Sequence, residues 1–497
     1  MPKIPKPFIL FLIIVLCIFM RTWRCEDFYG FGHDQDLFAW IAKDIVIDKH
    51  IRLIGQETSI SGLFIGPIFY YLISLPLLFF NMDPRVANVV TVAVSLFTAL
   101  SFYFVISKFF GKTAGFITSF LYSVSLGMAL FDRWVVPTQP TLLWSIWYLY
   151  VLLSFLKNNF KVLPVLAILV GFIWHIHIAF APLLLLLPLT IFLKRKAIRK
   201  SNFHLQFKNI LLSSVIFFLL ISPFLVFEVR HNFQQIRTLT RVASEERGDV
   251  KGAARVLKIA KSAAVIFTGA FWYDEKQQNL PQEIFVIPLL ALFFFIFLAR
   301  KKVFDKEQVS IMTAWMGIGL IGQFISKRQI SEYYLINLLV TVYLAFALFI
   351  AYLYSFKKLR LPIILLLLFY ASFNIFSLLK LPKLYDNYGD RKKLIEYIKK
   401  DVLAHNYPCI GVNFIADPGA GVGFRYLFWL NKIPIIKPVA GIPVYNIAIP
   451  WIYASPKELS FKQGYFGVII PKPIEVKNPG LCNDVKNQFL PLSGFVN

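Results

Sequence analysis

The segment LFIGPIFYYLISLPLLFF, at residues 63–80, decides how the rest of this chain is arranged. It is apolar, but Gly66, Pro67 and Pro76 interrupt it, and only eight residues separate the two prolines. A helix needs about 20 apolar residues to cross a bilayer, and a proline inside a helix removes a backbone hydrogen bond. We therefore expect this segment to lie at the membrane interface instead of spanning it.

The remaining apolar runs predict a helical membrane protein. Of 497 residues, 58% are hydrophobic and the mean hydropathy is +0.65, which is more apolar surface than a soluble protein could bury. Runs close to the spanning length cover approximately residues 7–23, 86–107, 113–131, 138–156, 161–177, 178–193, 209–227, 283–299, 308–325, 333–355 and 361–379. We predict a polytopic α-helical membrane protein with about 11 transmembrane helices, the first of them uncleaved.

The positive charge is arranged as membrane topology requires. The net charge of +25 could also suit nucleic acid, but the Lys and Arg fall mainly in short clusters between apolar runs. If residues 63–80 do not span, these clusters share one side; they lie at residues 108–112, 157–161, 194–208, 300–302 and 357–360. Cytoplasmic loops are enriched in such clusters. We therefore predict that this side is cytoplasmic and that the protein binds no nucleic acid.

Three polar regions then face the extracytoplasmic side: a first loop of about residues 24–85, a long loop of about 228–282, and everything after about residue 380. This divides the chain into a transmembrane domain, 1–380, and a C-terminal domain, 381–497. Short apolar runs and a helical stretch in the latter predict a small extracytoplasmic α/β domain. Its Cys409 and Cys482 lack metal-ligand spacing and could pair outside the cytoplasm, but two cysteines alone leave that open.

The first loop places carboxylates at the membrane boundary. Asp34 and Asp36 occur in GHDQD at residues 32–36, and Glu57 closes IGQE at residues 54–57. Carboxylates there suit a general base that deprotonates an acceptor hydroxyl, or a ligand for a divalent cation. The alternative is a solvated loop in which Asp34 caps the helix that follows.

Two short connections carry further candidates. Asp132 stands beside Arg133, so it is either a second functional acid or half of a local ion pair. His175 and His177 lie in a turn with no room for a long loop, and polar groups at such depth usually face a cavity or a partner. The two histidines would point different ways on a helix, which weakens joint metal binding. One of them could bind phosphate or a metal, and the other is then simply hydrogen-bonded.

Cations on the predicted outer side point to a phosphate group. Arg230 and His231 follow the seventh apolar run, and basic residues recur at spacings of four, three and three over residues 251–261, as in an amphipathic helix on anionic lipid. Lys327 and Arg328 carry donors that match phosphate oxygens. A lipid-linked phosphate or ordinary anionic lipid would each account for this charge.

Two tyrosines follow that last pair of cations. Tyr333 and Tyr334 begin a predicted spanning helix on the outer side. They could contribute to the same phosphate site, or they could belong to an interfacial aromatic belt.

The order and spacing of these motifs resemble those of the GT-C glycosyltransferases, in particular the bacterial group related to protein O-mannosyltransferases and aminoarabinose transferases. The resemblance runs through most of residues 1–380. It rests on GHDQD, on IGQE followed by GPIFYY at residues 66–71, on residues 224–231, and on SEYY at residues 331–334. It implies a GT-C-like fold with juxtamembrane helices after the first loop, and transfer of a sugar from a polyprenyl-phosphate donor on the extracytoplasmic face.

The resemblance also implies roles for single residues. It makes Asp34 the required acid of the first loop, Asp132 a second acid, and Glu57 the position most similar to a metal ligand. Related sequences often carry Asp-Gln-Gly-Arg-Asp in the first loop, whereas here Asp36 follows Asp34 by two residues. Asp36 is therefore kept as a further candidate, and cations nearby are expected to hold Asp34 ionised.

We expect a membrane glycosyltransferase with an inverting mechanism. The candidate catalytic residues are Asp34, Asp132 and Asp36; the donor phosphate would be bound by Arg230, His231, Lys327, Arg328, Tyr333 and Tyr334; and a divalent metal ion, where one is bound, would use Glu57 and His177. The expected partners are the polyprenyl-phosphate sugar donor, a glycan, lipid or protein acceptor, and membrane lipid. The alternatives are a lipid-linked glycan flippase, which would need charges across the bilayer depth, and a non-catalytic cell-envelope protein.

Overall fold

A computed structural model describes residues 6–199, 207–244, 250–273, 285–326, 332–417, 419 and 421–495, and it is mostly helical. The helices of the first part are α1 (Lys6–Thr22), α2 (Cys25–Phe28), α3 (His33–Val46), α4 (Ile68–Phe79), α5 (Asn88–Phe110), α6 (Lys112–Val124), α7 (Leu126–Asp132), α8 (Thr141–Leu156), α9 (Leu163–Ile176) and α10 (Leu186–Arg199). The later helices are α11 (Phe207–Arg230), α12 (Gln234–Ser244), α13 (Gly252–Gly269), α14 (Val286–Arg300), α15 (Lys306–Ile325), α16 (Leu339–Tyr354), α17 (Arg360–Lys380), α18 (Tyr388–Ala404) and α19 (Arg425–Leu430).

Within these described residues, six helical stretches are long and apolar enough to cross a membrane. They are Pro84–Phe110, Ile178–Arg195, Phe207–Arg230, Lys306–Ile325, Tyr333–Tyr354 and Lys357–Lys380. The pair α6 and α7, bent by 67°, would make a seventh span, and α1, α8, α9 and α14 are apolar but shorter. The polytopic helical architecture is thus confirmed, whereas the number of eleven spans stays a prediction.

The segment at residues 63–80 forms the short helix α4. Its 12 residues extend roughly 18 Å, against a hydrocarbon core of about 30 Å. Tyr70, Ile73 and Leu77 are fully buried on the side that packs against α3, whereas Leu75 and Phe79 are 57% and 76% exposed. This one-sided burial in a helix too short to span agrees with the predicted interfacial position.

The C-terminal region forms a five-stranded mixed sheet. Its strands are β1 (Ile410–Ala416), β2 (Ile435–Ile436), β3 (Val444–Ile449), β4 (Phe461–Gln463) and β5 (Phe466–Ile469). The strand order is β2-β1-β3-β5-β4, with β1 parallel to β2 and β3, and β5 antiparallel to β3 and β4. α18 packs against β4 and β5, and a disulfide joins Cys409 to Cys482. The small α/β domain is confirmed, and the two cysteines do pair.

The hydrophobic core of this domain crosses the predicted boundary at residue 380. Phe31 and Leu37 of the first loop share one core with Tyr388 and Phe466. Backbone hydrogen bonds cross it as well, since the Tyr388 N–H donates to the Tyr29 carbonyl over 2.8 Å. The first loop and the C-terminal domain therefore fold as one unit.

Asp36 anchors that unit. Its side chain is fully buried, and its two carboxylate oxygens accept hydrogen bonds from the N–H groups of Gly423 (3.0 Å) and Tyr426 (3.1 Å). Tyr426 lies in the first turn of α19, where N–H groups lack partners within the helix, so Asp36 caps this helix from a distant part of the chain. Burial raises the pKa of Asp36 to about 6, although the two N–H donors and the nearby Arg391 and Arg425 oppose that shift.

We expect Asp36→Ala to destabilise the protein by about 2–4 kcal/mol, because it leaves two buried N–H donors without acceptors. Asp36→Asn should cost less, since an amide retains one acceptor oxygen. Thermal unfolding in detergent and limited proteolysis of the C-terminal domain measure both effects. Asp27→Ala, which removes a half-exposed partner of Arg24, is the control. Unchanged unfolding of Asp36→Ala together with lost sugar transfer would instead return Asp36 to a catalytic role.

Candidate active site

A cavity of about 290 Å³ lies at one end of the helical bundle. Its walls come from connections that are far apart in sequence. They are residues 33–37 and 56–65 of the first loop, 134–138, the turn at 177, residue 333, and residues 493–494 of the C-terminal domain. The structure thus brings four of the predicted outer connections together at one place.

Asp34 is the acid most available to a substrate in this cavity. It lies in the first turn of α3, which is capped by Gly32 and the Gln35 side chain and not by Asp34 itself. Its carboxylate accepts no hydrogen bond from any described residue. Burial raises its pKa above the ordinary value, and the adjacent His33 opposes this shift. The expectation that cations hold it ionised is therefore wrong in direction: burial dominates, and no described Lys or Arg lines the cavity.

A tight hairpin presents Gln56 and Glu57 to the same cavity. The Gly55 N–H donates to the Ile65 carbonyl (2.7 Å), and the Ile65 N–H donates back to the Gln56 carbonyl (3.0 Å). A Cβ on Gly55 would lie only 2.1 Å from the Tyr70 ring, so glycine is required for this approach. The Tyr70 hydroxyl then donates to the Gln56 side chain over 2.8 Å. The IGQE hairpin and Tyr70 of α4 therefore hold each other in position at the cavity wall.

One side-chain oxygen of Glu57 stabilises that hairpin by accepting hydrogen bonds. Its Oε1 accepts hydrogen bonds from the Gly62 N–H (2.6 Å) and the Ser61 hydroxyl (3.1 Å). Its own backbone N–H donates to the Gly494 carbonyl over 3.0 Å. Glu57 thus shapes the cavity wall and ties it to the C-terminal domain.

His177 and two tyrosines supply hydrogen-bond donors to the cavity. The Ala179 N–H donates to His177 Nδ1 (3.1 Å), so the proton of the neutral ring resides on Nε2. That Nε2 lies 3.4 Å from the Tyr334 hydroxyl, which also accepts a bond from the Tyr333 hydroxyl over 3.3 Å. Since Tyr334 already accepts both, its own hydroxyl proton is available to another acceptor.

These residues do not fit the predicted metal site. Both ring nitrogens of His177 are used, one as an acceptor and one as a donor, so neither offers a lone pair. One oxygen of Glu57 is also occupied. Across the residues described, no three His, Cys, Asp or Glu side chains converge as a metal would require. We therefore assign no step to a metal ion.

Asp132 lies away from the cavity. It is buried in an ion pair with Arg21 of α1 (2.7 Å) and accepts a hydrogen bond from the Tyr122 hydroxyl (2.6 Å). Arg133 instead donates to the Met20 carbonyl over 2.8 Å. Asp132 therefore joins α1 to the bent pair of helices and, like Asp36, does not line the cavity, so a catalytic role for either stays a prediction. An ion pair was the open alternative, but its partner is Arg21 and not the neighbouring arginine.

The two predicted phosphate-binding cations that the structure describes do not line the cavity. Arg230 and His231 are exposed and do not line it, and the His231 ring stacks on Phe227 with centroids 4.0 Å apart. Lys327 and Arg328 lie outside the described residues. Arg255, from the predicted basic helix, is buried and donates to the Gln323 carbonyl at the end of α15 (2.8 Å). Of the phosphate-binding residues predicted, the structure places Tyr333 in the cavity and Tyr334 beside it.

His175 proves to be the hydrogen-bonded member of its pair. Its Nε2 lies 2.9 Å from the Leu220 carbonyl of α11, and its ring packs so closely on Gly66 that a Cβ there would lie 2.1 Å from Nδ1. This contact joins α9, α11 and the start of α4, which explains the glycine of the GPIFYY motif.

Gly494 is a cavity residue that sequence reasoning missed. Its φ of +84° favours glycine, and a Cβ would lie 3.1 Å from the Leu37 side chain. Nothing in the local sequence marks it, because its partners Leu37 and Glu57 are more than four hundred residues away.

Two crystal structures resemble this chain over nearly its whole length. ArnT from Cupriavidus metallidurans bound to undecaprenyl phosphate matches with a TM-score of 0.58 and 10% identity, covering 94% of this chain and 98% of that one. The apo structure of the same protein matches with a TM-score of 0.59 and 10% identity, covering 93% and 97%. At such identity the match shows the fold alone.

A third structure is more distant, and the sequence comparisons found nothing. The oligosaccharyltransferase of Archaeoglobus fulgidus, in complex with Zn and sulfate, matches with a TM-score of 0.40 and 12% identity, covering 88% of this chain and 67% of that one. That score is too low to support an argument. No protein-family profile and no curated protein sequence matches this chain.

Substitution can distinguish a structural role of Glu57 in the hairpin from the metal-binding role predicted from the sequence. Glu57→Gln keeps an oxygen for the Gly62 N–H, so a structural role predicts activity close to that of the native protein. Glu57→Ala loses this bond, and we expect a fall of about tenfold, the equivalent of one net hydrogen bond to a charged group. Sugar transfer with and without a chelator measures this. Equal, severe loss in both variants, reversed by excess metal, would favour a metal ligand instead.

Proposed function

From the GT-C fold that this chain shares with ArnT, we propose that it is a membrane glycosyltransferase. It would move a sugar from a polyprenyl-phosphate donor to an acceptor hydroxyl on the extracytoplasmic face. The observation that carries the proposal is Asp34, a half-buried carboxylate that no described residue hydrogen-bonds, in a cavity bordered by neutral polar groups. The undecaprenyl phosphate bound to ArnT supports the choice of donor.

The proposed reaction is a single displacement. Asp34 takes the proton of the acceptor hydroxyl while the acceptor oxygen forms a bond to the anomeric carbon. The bond from that carbon to the phosphate oxygen breaks, polyprenyl phosphate leaves with the electron pair, and the configuration inverts. The raised pKa makes Asp34 a stronger base than an ordinary carboxylate. Negative charge that develops on the phosphate would be met by the hydroxyl proton of Tyr334, which His177 and Tyr333 leave available.

Two features support an extracytoplasmic site. The cavity contains Gly494 of the C-terminal domain, so it lies on the same side as the Cys409–Cys482 disulfide, and disulfides persist in oxidising compartments. At the other end, Lys194 and Glu307 form an ion pair (2.6 Å) between two of the connections predicted to be cytoplasmic.

Asp34→Asn should lower transfer by about 100- to 10,000-fold, the range for loss of a general base, while expression and unfolding temperature stay unchanged. The measurement is release of polyprenyl phosphate from a labelled sugar donor by purified protein in detergent with acceptor membranes. Asp27→Asn, at a half-exposed carboxylate of the same loop, is the matched control. Full activity of Asp34→Asn would end the assignment, and donor binding without turnover by the native protein would favour a transporter.

Transfer should fall at acidic pH, because the reaction needs the Asp34 carboxylate. As the pH drops through the raised pKa, the group is protonated, so kcat/KM should decline by about tenfold per pH unit, beginning above the ordinary carboxyl value of 3.8. Asp36 does not confound this test. Its folded-state pKa is also raised, so its protonation favours the folded protein as the pH falls. A flat profile down to pH 4 would contradict the base assignment.

A further inference from the structure

A second, larger cavity of about 770 Å³ opens between α3 and the C-terminal domain. We refer to it as the α3 groove. One wall carries Trp40, Lys43, Asp44 and Asp48 of α3, and the other carries Arg425, Trp429, Lys432 and residues 488–492. Its volume is within the range of about 300–1,000 Å³ typical of small-molecule and cofactor sites.

Two tryptophans form an aromatic surface in the groove. The rings of Trp40 and Trp429 are both partly exposed, with centroids 5.8 Å apart and planes inclined by 50°. The buried Tyr426 contacts both rings, at 5.6 and 5.1 Å, and fixes their positions. Neither indole N–H donates to any described residue. A sugar ring offers an apolar C–H face and hydroxyl acceptors, which is what such rings with free N–H donors can bind.

Charged side chains surround this aromatic surface. Lys43 pairs with the exposed Asp48 over 2.6 Å, while Lys432 is exposed and has no carboxylate within ion-pair distance in the described part of the chain. The Arg425 guanidinium lies 4.7 Å from the Phe489 ring centroid and donates to the Leu490 carbonyl. The groove therefore offers charged hydrogen-bond groups for hydroxyls, and Lys432 as a spare cation for an anionic substituent.

The α3 groove and the catalytic cavity share two walls. On α3, Asp34 and Leu37 line the cavity, whereas Trp40 lines the groove, roughly 9 Å further along the helix axis than Asp34. In the C-terminal segment, Gly494 lines the cavity and Phe495 lines the groove. A chain-like ligand in the groove therefore lies next to the proposed base.

We infer that the α3 groove binds the acceptor and that this acceptor is an oligosaccharide chain bearing anionic groups. The inner sugars pack on Trp40 and Trp429, the anionic group meets Lys432, and the terminal hydroxyl extends towards Asp34. This inference rests on the proposed function and narrows its acceptor from a glycan, lipid or protein to a glycan.

The test is isothermal titration calorimetry of the purified full-length protein in detergent. The probe is the pool of oligosaccharides released by mild acid from membranes of the source organism. Native protein should bind the pool saturably, Trp40→Ala and Trp429→Ala should bind at least tenfold more weakly, and Trp429→Phe should fall between. Lys432→Gln should weaken binding less and reduce its salt dependence. Trp451→Ala, a tryptophan of the same domain outside the groove, should match the native protein.

Unfolding temperatures of the variants show whether each remains folded. If an alanine variant does not fold, the more conservative Trp429→Phe still tests the inference. Absence of saturable binding, binding unaffected by the tryptophan substitutions, or binding confined to a peptide fraction of the same membranes would overturn the inference.

The transfer assay separates the two proposals. Asp34-dependent transfer with unaltered Trp40→Ala and Trp429→Ala kinetics would leave the glycosyltransferase standing and remove the groove as its acceptor site. Groove binding without Asp34-dependent transfer would contradict the proposed function and leave the groove as a glycan-binding site with no acceptor role.

Discussion

The structure depends on a fully buried carboxylate, that of Asp36. Asp36 accepts two backbone hydrogen bonds from the start of α19, and so it holds the C-terminal domain against the first loop. Two residues before Asp36 on α3, Asp34 lines the cavity together with Gly494 of that domain. About one turn beyond Asp36 on α3, Trp40 contacts Trp429 of the same domain. Removing a charged carboxylate from water costs free energy. Here two backbone N–H groups that would otherwise have no partner offset that cost by donating hydrogen bonds.

The sequence alone could predict those structural features that depend on residues close together in the chain. Hydropathy located the apolar helices, the two prolines of α4 marked a segment unable to span, and the short apolar runs after residue 380 indicated a small sheet. The position of Asp34 could also be predicted, from a motif at the membrane boundary. The number of spans could not be fixed, because several apolar helices are shorter than the bilayer needs and their tilt depends on their neighbours.

Roles set by distant partners could not be predicted. Asp34, Asp36 and Asp132 are alike in sequence terms, yet Asp132 pairs with an arginine 111 residues away and Asp36 caps a helix 390 residues away. Arg230 and His231 do not line the cavity and Lys327 and Arg328 lie outside the described residues, so phosphate binding by these cations stays a prediction. Charge recurring along a helix does not say which face turns inward either, and Arg255 of the basic helix turns inward to bind carbonyls. At the cavity the structure shows a neutral hydrogen-bonded cluster of His177, Tyr333 and Tyr334, in which the Tyr334 hydroxyl keeps an available proton.

The span of the Asp36 contact also bears on how the protein is made. At about 5–20 residues per second, the ribosome would reach residue 426 roughly 20–80 s after Asp36 leaves the peptidyl-transferase centre. Throughout that interval α3 has an unpaired carboxylate and its tryptophan uncovered, and the cavity lacks the wall that Gly494 provides. An unfinished chain therefore contains Asp34 but no enclosed site around it, and the cavity is complete only once the C-terminal domain has been translated and has folded against α3.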